Sequence, residues 1–331
     1  MYSMLSDCRT QREEEKMSLL ADVAEMYYNR QMSQNEIAQK LHVSRSNVSR
    51  MLTKAKETGI VEVKINYISN RSFQLEEAMK RRFKLDTVFV YNADEKSDDA
   101  CLDMLTHYAA EYIGSILKPN MSIGVTRGSV FAGVLNWLKK EEPQKLNLRL
   151  IQLTGAEAKS NPERDSGDLI RGMLRLYDGR AFYLNAPLYV EDEAVRIALE
   201  KEPGVSETMH LASSCDIIIT GIGYLSDSMD LRQSVWNQYL SKENIREIIA
   251  CGGVGHLFFR IFNREGEIIN HPVNAKIIGT SLDSVRDANV IAVAFGKVRA
   301  QAVLGALRQN IIKVLFIDRQ CAEEILYSLD K

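Results

Sequence analysis

The amino-acid sequence predicts an α/β protein in two parts: a small helical segment, then a large, open, mostly parallel α/β sheet. The first 66 residues combine helix-cap signals with apolar residues at helical spacing. The remainder alternates short strand-like runs with helical stretches, as chains with parallel sheets do. At 331 residues the chain is long enough for two domains, and we predict them at 1–66 and 67–331.

Composition places the chain among ordinary globular proteins. Hydrophobic residues make up 45% and charged residues 26%. No apolar run reaches the roughly 18 residues of a membrane span, and Glu13, Glu14 and Glu15 lie where a signal peptide would be apolar. The five cysteines are scattered, with no Cys-x-x-Cys pair and no His at ligand spacing. We therefore expect a cytoplasmic protein with reduced thiols, no metal, no cofactor and no membrane partner.

The N-terminal segment predicts three short helices. Ser33 and Glu36 have capping-box spacing, so the second helix should begin near Gln34. Ser44 is a favourable N-cap for a third helix over residues 45–57. The first helix is predicted by apolar residues at helical spacing, namely Leu19, Leu20, Val23, Ala24 and Tyr27.

The end of this segment completes a recognisable pattern. Gly59 should end the third helix, and residues 60–65 alternate as a strand does. Ala38 has the small side chain that two crossing helices require, and Val48, ten residues later, would pack under the turn. Helix, turn, helix and strand in this order predict a winged helix-turn-helix.

The third helix presents polar side chains suited to reading DNA. Arg and Asn make bidentate contacts with guanine and adenine edges, and Ser and Lys suit phosphates. The net charge is −2, yet residues 30–66 hold seven Lys or Arg against three Asp or Glu. A solvated helix face would look similar, but the caps, spacing, basic excess and strand together favour operator DNA as the partner. The predicted DNA-binding residues are Ser33, Gln34, Ser44, Arg45, Ser46, Asn47, Ser49, Arg50 and Lys54.

The rest of the chain predicts six strands followed mostly by helical periodicity. They are Thr87–Tyr91, Met121–Val125, Leu148–Leu153, Asp216–Thr220, Val290–Ala294 and Lys313–Ile317. Several end in glycine where a helix begins, and in an open α/β sheet ligands bind at the carboxyl ends of strands. Free N–H groups at helix N-termini favour anions there, so a phosphate would bind well. Any one of these glycines is more simply a turn residue, but four at one edge favour a pocket. The predicted ligand-binding residues are Gly124, Thr126, Arg127, Gly128, Ser129, Gly155, Gly221, Gly223, Gly296 and Arg299.

These motifs resemble one family of regulators. Residues 32–38 and 43–50 look like the DNA-binding segment of the SorC/DeoR-type sugar-binding transcriptional regulators. Residues 186–188, 202–205 and 216–223, with the stretch from Val290 to Ala300, resemble that family's effector-domain motifs in the same order. The resemblance covers about residues 17–330. It implies a fold related to phosphosugar isomerases, homo-oligomers (tetramers or dimers) on DNA, and phosphorylated sugars or sugar alcohols as effectors.

Two departures from the family pattern concern the ligand. The resemblance places the phosphate-binding loop on Gly124–Ser129 and a late phosphate-binding cation on Arg299, where the family has Lys. Arg127 stands where an aromatic residue is usual. In the stretch from Gly255 to Asn263, His256 replaces an acid, Phe259 a Gly and Asn263 an Asp. The anion end of the site is therefore expected to be preserved, and the sugar end, with His256, to be altered.

Two other classes of protein compete with a regulator. A sugar-phosphate isomerase-like enzyme could use the same crevice, but it needs a positioned base, and His256 is the one nearby candidate from the sequence. A lone His is more often structural. An architectural DNA-binding protein without an effector would have no use for so large an α/β domain. The sequence therefore favours a regulator without catalysis.

Overall fold

The chain forms two compact units, Met1–Ile68 and Ser69–Lys331. The division predicted between residues 66 and 67 lies outside the described residues and stays a prediction. In no helix of the described ranges is there a stretch long and apolar enough to cross a bilayer. The structure is a computed structural model, and it describes residues 17–61, 70–92, 97–157, 162–226 and 235–329.

The first unit contains the predicted three helices. Helix α1 spans residues 17–24 and continues as a π-helical turn at Glu25–Asn29; α2 spans Gln34–Leu41 and α3 spans Arg45–Glu57. The Glu36 amide donates to Ser33 Oγ at 3.3 Å and Ser33 N–H donates to Glu36 Oε2 at 2.8 Å, which confirms the capping box.

An apolar core packs these three helices together, and a smaller cluster of Leu20, Ala24 and Ala55 adds to it. Ala38 and Val48 pack in it, as their spacing predicted. The chain turns between α2 and α3 at His42, whose φ of 53° is left-handed. This is the geometry of a helix-turn-helix, whereas the predicted strand over 60–65 falls mostly outside the described residues. The buried members of the core are Val23, Met26, Ile37, Ala38, Val48 and Leu52.

The second unit alternates strands and helices. All six predicted strands are present, each to within one residue at either end, and β4 together with three short strands was missed. The elements are α4 Phe73–Arg82, β1 Thr87–Tyr91, α5 Asp98–Ile116, β2 Ser122–Val125, α6 Ser129–Leu138, β3 Leu148–Gln152, α7 Ser166–Tyr177, β4 Gly179–Phe182, α8 Glu193–Lys201, α9 Pro203–Ala212, β5 Ile217–Gly221, β6 Gly223–Tyr224, α10 Lys242–Ala250, β7 Gly255–Leu257, β8 Arg260–Phe262, α11 Pro272–Ala275, β9 Asn289–Ala294, α12 Ala300–Arg308, β10 Ile312–Asp318 and α13 Arg319–Leu329.

Seven of these strands form one parallel sheet. Their order is β1-β10-β9-β5-β2-β3-β4, while β6, β7 and β8 form a separate three-stranded sheet. From β2 the chain winds outward through β3 and β4, then returns to β5 on the other side of β2 and winds through β9 and β10. The winding direction therefore reverses between β2 and β5, and a crevice at the carboxyl ends of these two strands follows from that topology.

Side-chain bonds tie β2 to β5 at both ends. At the amino end, Asp216 Oδ2 accepts from the amide and the hydroxyl of Ser122, both at 2.7 Å. At the carboxyl end, the Thr126 hydroxyl donates to the Ile219 carbonyl at 2.9 Å. These bonds fix the register of the two strands that border the crevice.

The open edge of β1 is covered by the segment that leads into α4. Ser72 N–H donates to the Val90 carbonyl at 3.0 Å, and Arg71 pairs in antiparallel fashion with Tyr91. Val90 N–H in turn donates to the buried Glu76 carboxylate at 3.0 Å. The Arg71 guanidinium donates to both oxygens of that carboxylate, at 2.9 and 2.8 Å, so the buried charge of Glu76 is paired.

A two-residue turn joins β7 and β8. Its residues, Phe258 and Phe259, have φ values of 48° and 65°, which is the left-handed pattern of a type I′ turn. Such turns favour Asn and Gly, yet both rings here are buried, one in each of two separate apolar cores. Burying each ring contributes about 2 to 3 kcal/mol, which offsets the strain of about 1 to 2 kcal/mol at each position.

The left-handed turn predicts that glycine is the more stable of two substitutions at Phe259, the reverse of the usual order of Gly and Ala. We expect Phe259→Gly to be more stable than Phe259→Ala by about 1 kcal/mol, because both lose the ring but only Ala keeps the left-handed strain. Urea unfolding followed by tryptophan fluorescence measures the difference, since Trp236 lies 5.4 Å from Phe259 between ring centroids.

Phe262 supplies the matched control for this comparison. It is a fully buried residue within β8, where its φ is not left-handed. There Gly should be the less stable substitution, by roughly 0.5 to 1 kcal/mol relative to Ala. The same order of Gly and Ala at both positions would contradict the strain at Phe259.

Candidate functional site

Helix α3 buries one face and exposes the other. Its N-cap is Ser44, whose Oγ accepts from Asn47 N–H at 3.2 Å. Val48, Leu52 and Ala55 are buried against the other helices. The opposite face is polar and open to solvent, as a base-reading helix requires. Its exposed residues are Arg45, Ser46, Asn47, Ser49, Arg50 and Lys54.

The contacts of this polar face are weak enough to be exchanged for DNA. Arg50 Nε donates to the Ser46 carbonyl at 3.4 Å. Lys54 Nζ lies 2.9 Å from Glu57 Oε2, but both side chains are more than half exposed, so the pair contributes little. Ser33 is exposed and held in the capping box, and Gln34 beside it is partly buried. The DNA-contacting role of each predicted residue stays a prediction.

The loop between β2 and α6 follows the carboxyl end of β2, where the topology predicts the crevice. Thr126 is buried, and its hydroxyl proton is used in the bond to Ile219, which leaves its oxygen free only as an acceptor. Gly128 is the N-cap of α6 with φ 118°, a conformation that requires glycine, and its N–H donates to the Arg164 carbonyl at 3.0 Å. Ser129, partly buried, is the first residue of α6. Of these three residues, Ser129 keeps a hydroxyl suited to a phosphate.

At four of the predicted ligand-binding glycines, a Cβ atom would crowd other atoms of the protein. A Cβ atom would lie 2.8 Å from Ile218 Cγ1 at Gly124, and 2.3 Å from the Pro187 carbonyl oxygen at Gly155. At Gly221 it would lie 3.0 Å from Val130 Cγ2. At Gly223 it would lie 2.0 Å from His256 Nε2, so the imidazole lies directly on this backbone. A ligand role for these glycines stays a prediction.

Arg299 is held at the carboxyl end of β9. Gly296 has φ 85° and donates its N–H to Asp318 Oδ1 at 2.8 Å, which fixes the turn before Arg299. The Arg299 guanidinium donates to the Phe295 carbonyl at 2.7 Å and stacks over the Tyr224 ring, 5.0 Å from its centroid. Since Tyr224 follows Gly223, the structure brings Arg299 to the β6 side of the crevice. Its Nη1 also lies 3.8 Å from Oδ2 of the exposed Asp98, a loose contact that a bound anion could replace.

Arg127 forms a buried ion pair that the sequence did not predict. Its Nε faces Glu157 Oε1, and the Glu157 side chain is only 3% exposed. Burial raises the pKa of Glu157 to about 7, although the charge of Arg127 lowers it; Asp165 raises it further. Glu157 comes five residues after β3 ends, so no local pattern could have indicated this contact. Burial thus brings the pKa of Glu157 close to neutral pH despite the nearby charge of Arg127.

His256 lies in an aromatic setting beside this pair. Its ring centroid is 5.3 Å from that of Trp236 and 5.5 Å from that of Phe259. Burial, with a smaller contribution from the charge of Arg127, lowers the pKa of His256 to about 4. His256 is therefore neutral at physiological pH and a weak base.

The four described cysteines are free thiols. Cys101, Cys215 and Cys321 are buried, and Cys251 is exposed; none forms a disulfide. Burial raises the pKa of Cys215 to about 12, which keeps its thiol protonated. Within the same described ranges, His, Cys, Asp and Glu side chains form no group of three that could hold a metal ion.

Known protein families match residues in both units. Residues 68–327 match the family model described as "Putative sugar-binding domain", and residues 21–57 match the model of sigma-70, region 4. The sorbitol operon regulator of Klebsiella pneumoniae is 23% identical over 310 residues, which are 93% of this chain and 97% of that protein. The deoxyribonucleoside regulator of Bacillus subtilis is 24% identical over 317 residues, 95% of this chain and 99% of that protein.

Solved structures share the fold. The crystal structure of the full-length sorbitol operon regulator SorC from Klebsiella pneumoniae aligns with a TM-score of 0.69 at 22% identity, covering 94% of this chain and 99% of that one. A DeoR family transcriptional regulator from Listeria monocytogenes aligns with a TM-score of 0.67 at 23% identity, over 76% of this chain and 98% of its own. The sugar-binding family model spans well over half of the chain. The chain therefore belongs to the family of sugar-binding transcriptional regulators of the SorC/DeoR type.

Proposed function

We propose that this chain is a transcriptional regulator that binds operator DNA through α3 and responds to a phosphorylated sugar or sugar alcohol bound between β2 and β5. The observation that carries the proposal is that one chain holds both an exposed polar helix and a sheet whose winding reverses between β2 and β5, where a ligand crevice is expected. The curated relatives named above are regulators of a sorbitol operon and of deoxyribonucleosides, which supports the same class. Such a protein acts in the cytoplasm, where the DNA is.

We propose that the phosphate of the effector binds at the loop before α6. Ser129 at the first turn of α6 and the N-terminal helix dipole favour an anion there. Arg299 supplies a cation from the carboxyl end of β9, the strand next to β5. Charge-assisted bonds of this kind are the strong ones in proteins, so the phosphate should anchor the ligand.

Self-association is part of the proposal. One helix-turn-helix unit covers a single half-site of DNA, and a second linked copy raises affinity through effective concentration. The α/β unit is the larger of the two and is proposed to form the homo-oligomer, a dimer or tetramer.

A sugar-phosphate isomerase-like enzyme is the second candidate, and one observation favours it. A carboxylate with pKa near 7 is what a general base needs, and Glu157 has that pKa. Two facts weigh against it: both Glu157 oxygens are fully buried, and His256 is a weak base. We therefore propose a regulator without turnover.

The absence of turnover is directly measurable. Phosphorylated aldoses and ketoses incubated with the protein should be recovered unchanged, and Glu157→Gln should leave that result the same. Proton exchange at the carbon next to the carbonyl, followed by NMR in deuterated water, is the sensitive assay. Exchange that depends on Glu157 would establish the enzyme instead.

Base-reading and phosphate-contacting residues of α3 should behave differently on substitution. Arg45→Ala and Arg50→Ala should each weaken operator binding by about 1 to 3 kcal/mol and relax sequence preference. Lys54→Ala should weaken binding to DNA of any sequence by a similar factor, because a phosphate contact carries no sequence information. It should also reduce the salt dependence of binding. Fluorescence anisotropy on operator and scrambled duplexes over a salt series separates the two effects. Unchanged operator affinity in the double variant Arg45→Ala/Arg50→Ala would disprove the assignment of α3.

The anion site predicts a dependence on Arg299. Arg299→Ala should weaken the binding of a phosphorylated ligand by about tenfold to a hundredfold, since a charge-assisted hydrogen bond contributes about 1.5 to 3 kcal/mol. The affinity for the matching unphosphorylated sugar should fall far less. Calorimetry on matched pairs of sugars and sugar phosphates measures both. Lys297→Ala is the control, because Lys297 is 68% exposed and pairs with Glu324 at 3.1 Å; equal loss in both variants would reject the specific role of Arg299.

A further inference from the structure

Arg127 is the more exposed member of its ion pair, although its Nε is fully buried. Its side chain is 22% exposed, whereas that of Glu157 is 3% exposed and both carboxylate oxygens are fully buried. Arg127 directly precedes Gly128, the N-cap of α6, so it belongs to the loop at which the phosphate is proposed, with its Nε turned to Glu157. A ligand at that loop therefore meets a guanidinium, which donates hydrogen bonds and accepts none.

The ionisation of Glu157 depends on Arg127. Two charged groups act on it: Arg127 from the loop after β2, which lowers its pKa, and Asp165 at the N-cap of α7, which raises it. Gln238 is a hydrogen-bond partner, and His256, next to Arg127 on β7, is neutral at physiological pH. If an anion were to neutralise Arg127, Glu157 would lose its counter-charge and take up a proton.

We propose that the effector carries a carboxylate in addition to its phosphate, and that this carboxylate binds Arg127 while Glu157 is converted to the neutral acid. The inference rests on the proposed function and names the chemical class of its ligand, a phosphorylated sugar acid. Above pH 7, up to one proton passes from solvent to Glu157 as the complex forms, and no covalent bond is made. The planar guanidinium fork matches a carboxylate in two parallel hydrogen bonds.

Charge balance selects a carboxylate over the alternatives. A neutral hydroxyl does not replace the charge of Glu157, so a plain alditol leaves the Arg127–Glu157 pair in place. A second phosphate would bring two negative charges to one guanidinium, and an uncompensated buried charge is costly. A carboxylate brings one negative charge, and Arg127 balances that charge once Glu157 is neutral.

Proton uptake fixes the direction of the pH dependence. The pKa of Glu157 is about 7 in the free protein and rises in the complex. Binding of the sugar acid phosphate should therefore strengthen as pH falls from about 9 to about 7, and level off below, where free Glu157 is already protonated. The phosphate group titrates near pH 6, below this window.

The test is calorimetry on the full chain with matched ligands. These are aldonic acid phosphates of four to six carbons, the alditol phosphates of the same configuration, and the corresponding alditol bisphosphates. At pH 7.5 we expect one aldonate to bind at least about tenfold more tightly than its alditol and its bisphosphate, a free-energy difference of about 1.4 kcal/mol. Repeating the titration in buffers with different heats of ionisation counts the protons taken up.

Variants separate the two members of the ion pair. Arg127→Gln should reduce aldonate affinity about tenfold, to the level of the alditol. Glu157→Gln should keep the aldonate preference but lose the proton uptake between pH 7 and 9. Arg286→Gln is the matched control, because Arg286 is a half-exposed arginine paired with Asp283 elsewhere on the unit, and it should change neither.

Each outcome decides between the two proposals. If alditol phosphates or bisphosphates bind as tightly as aldonates and binding still depends on Arg299, the effector function stands and the carboxylate is wrong. Proton uptake that persists in Glu157→Gln would also overturn the inference. If no ligand of any series binds, the phosphorylated effector and the carboxylate both fail.

Discussion

The pairing of β2 with β5 is the constraint on which the ligand crevice depends. These are the strands at which the winding of the sheet reverses, so their relative register sets the width and depth of the space between the loops that follow them. Asp216 and Ser122 fix that register at one end and Thr126 at the other. A slip of one residue would turn Thr126 outward and move Arg127 away from Glu157, because alternate residues of a strand face opposite sides.

Local patterns predicted most of the fold, and their failures have a physical cause. The capping box at Ser33, the N-cap at Ser44 and the long β-branched runs are local signals, so these caps and the central strands were found to within a residue. Strand β4, with glycine, arginine and alanine in four residues, lies at the sheet edge and has little apolar pattern. Strands β6 to β8 have two or three residues each, too few to show a period.

The candidate site was predicted in part, because a site combines local and distant contacts. Gly128 and Gly296 follow from turn chemistry, and their positive φ values agree with it. Gly124, Gly155 and Gly221 were predicted to bind the ligand; a Cβ at each would crowd atoms of the protein, and their ligand role stays a prediction. Glu157 was missed, since its role comes from Arg127, thirty residues earlier in the chain.

The covered edge of β1 has a consequence for how copies of this chain can meet. An open edge strand offers unpaired N–H and C=O groups to a strand of another molecule, which is a route to aggregation. Here Ser72 and Arg71 pair with β1, and the Glu76 carboxylate takes the Val90 N–H. Extension of the sheet through β1 into a second copy is thereby blocked, so assembly on this side must use side-chain surfaces of helices and loops rather than backbone pairing.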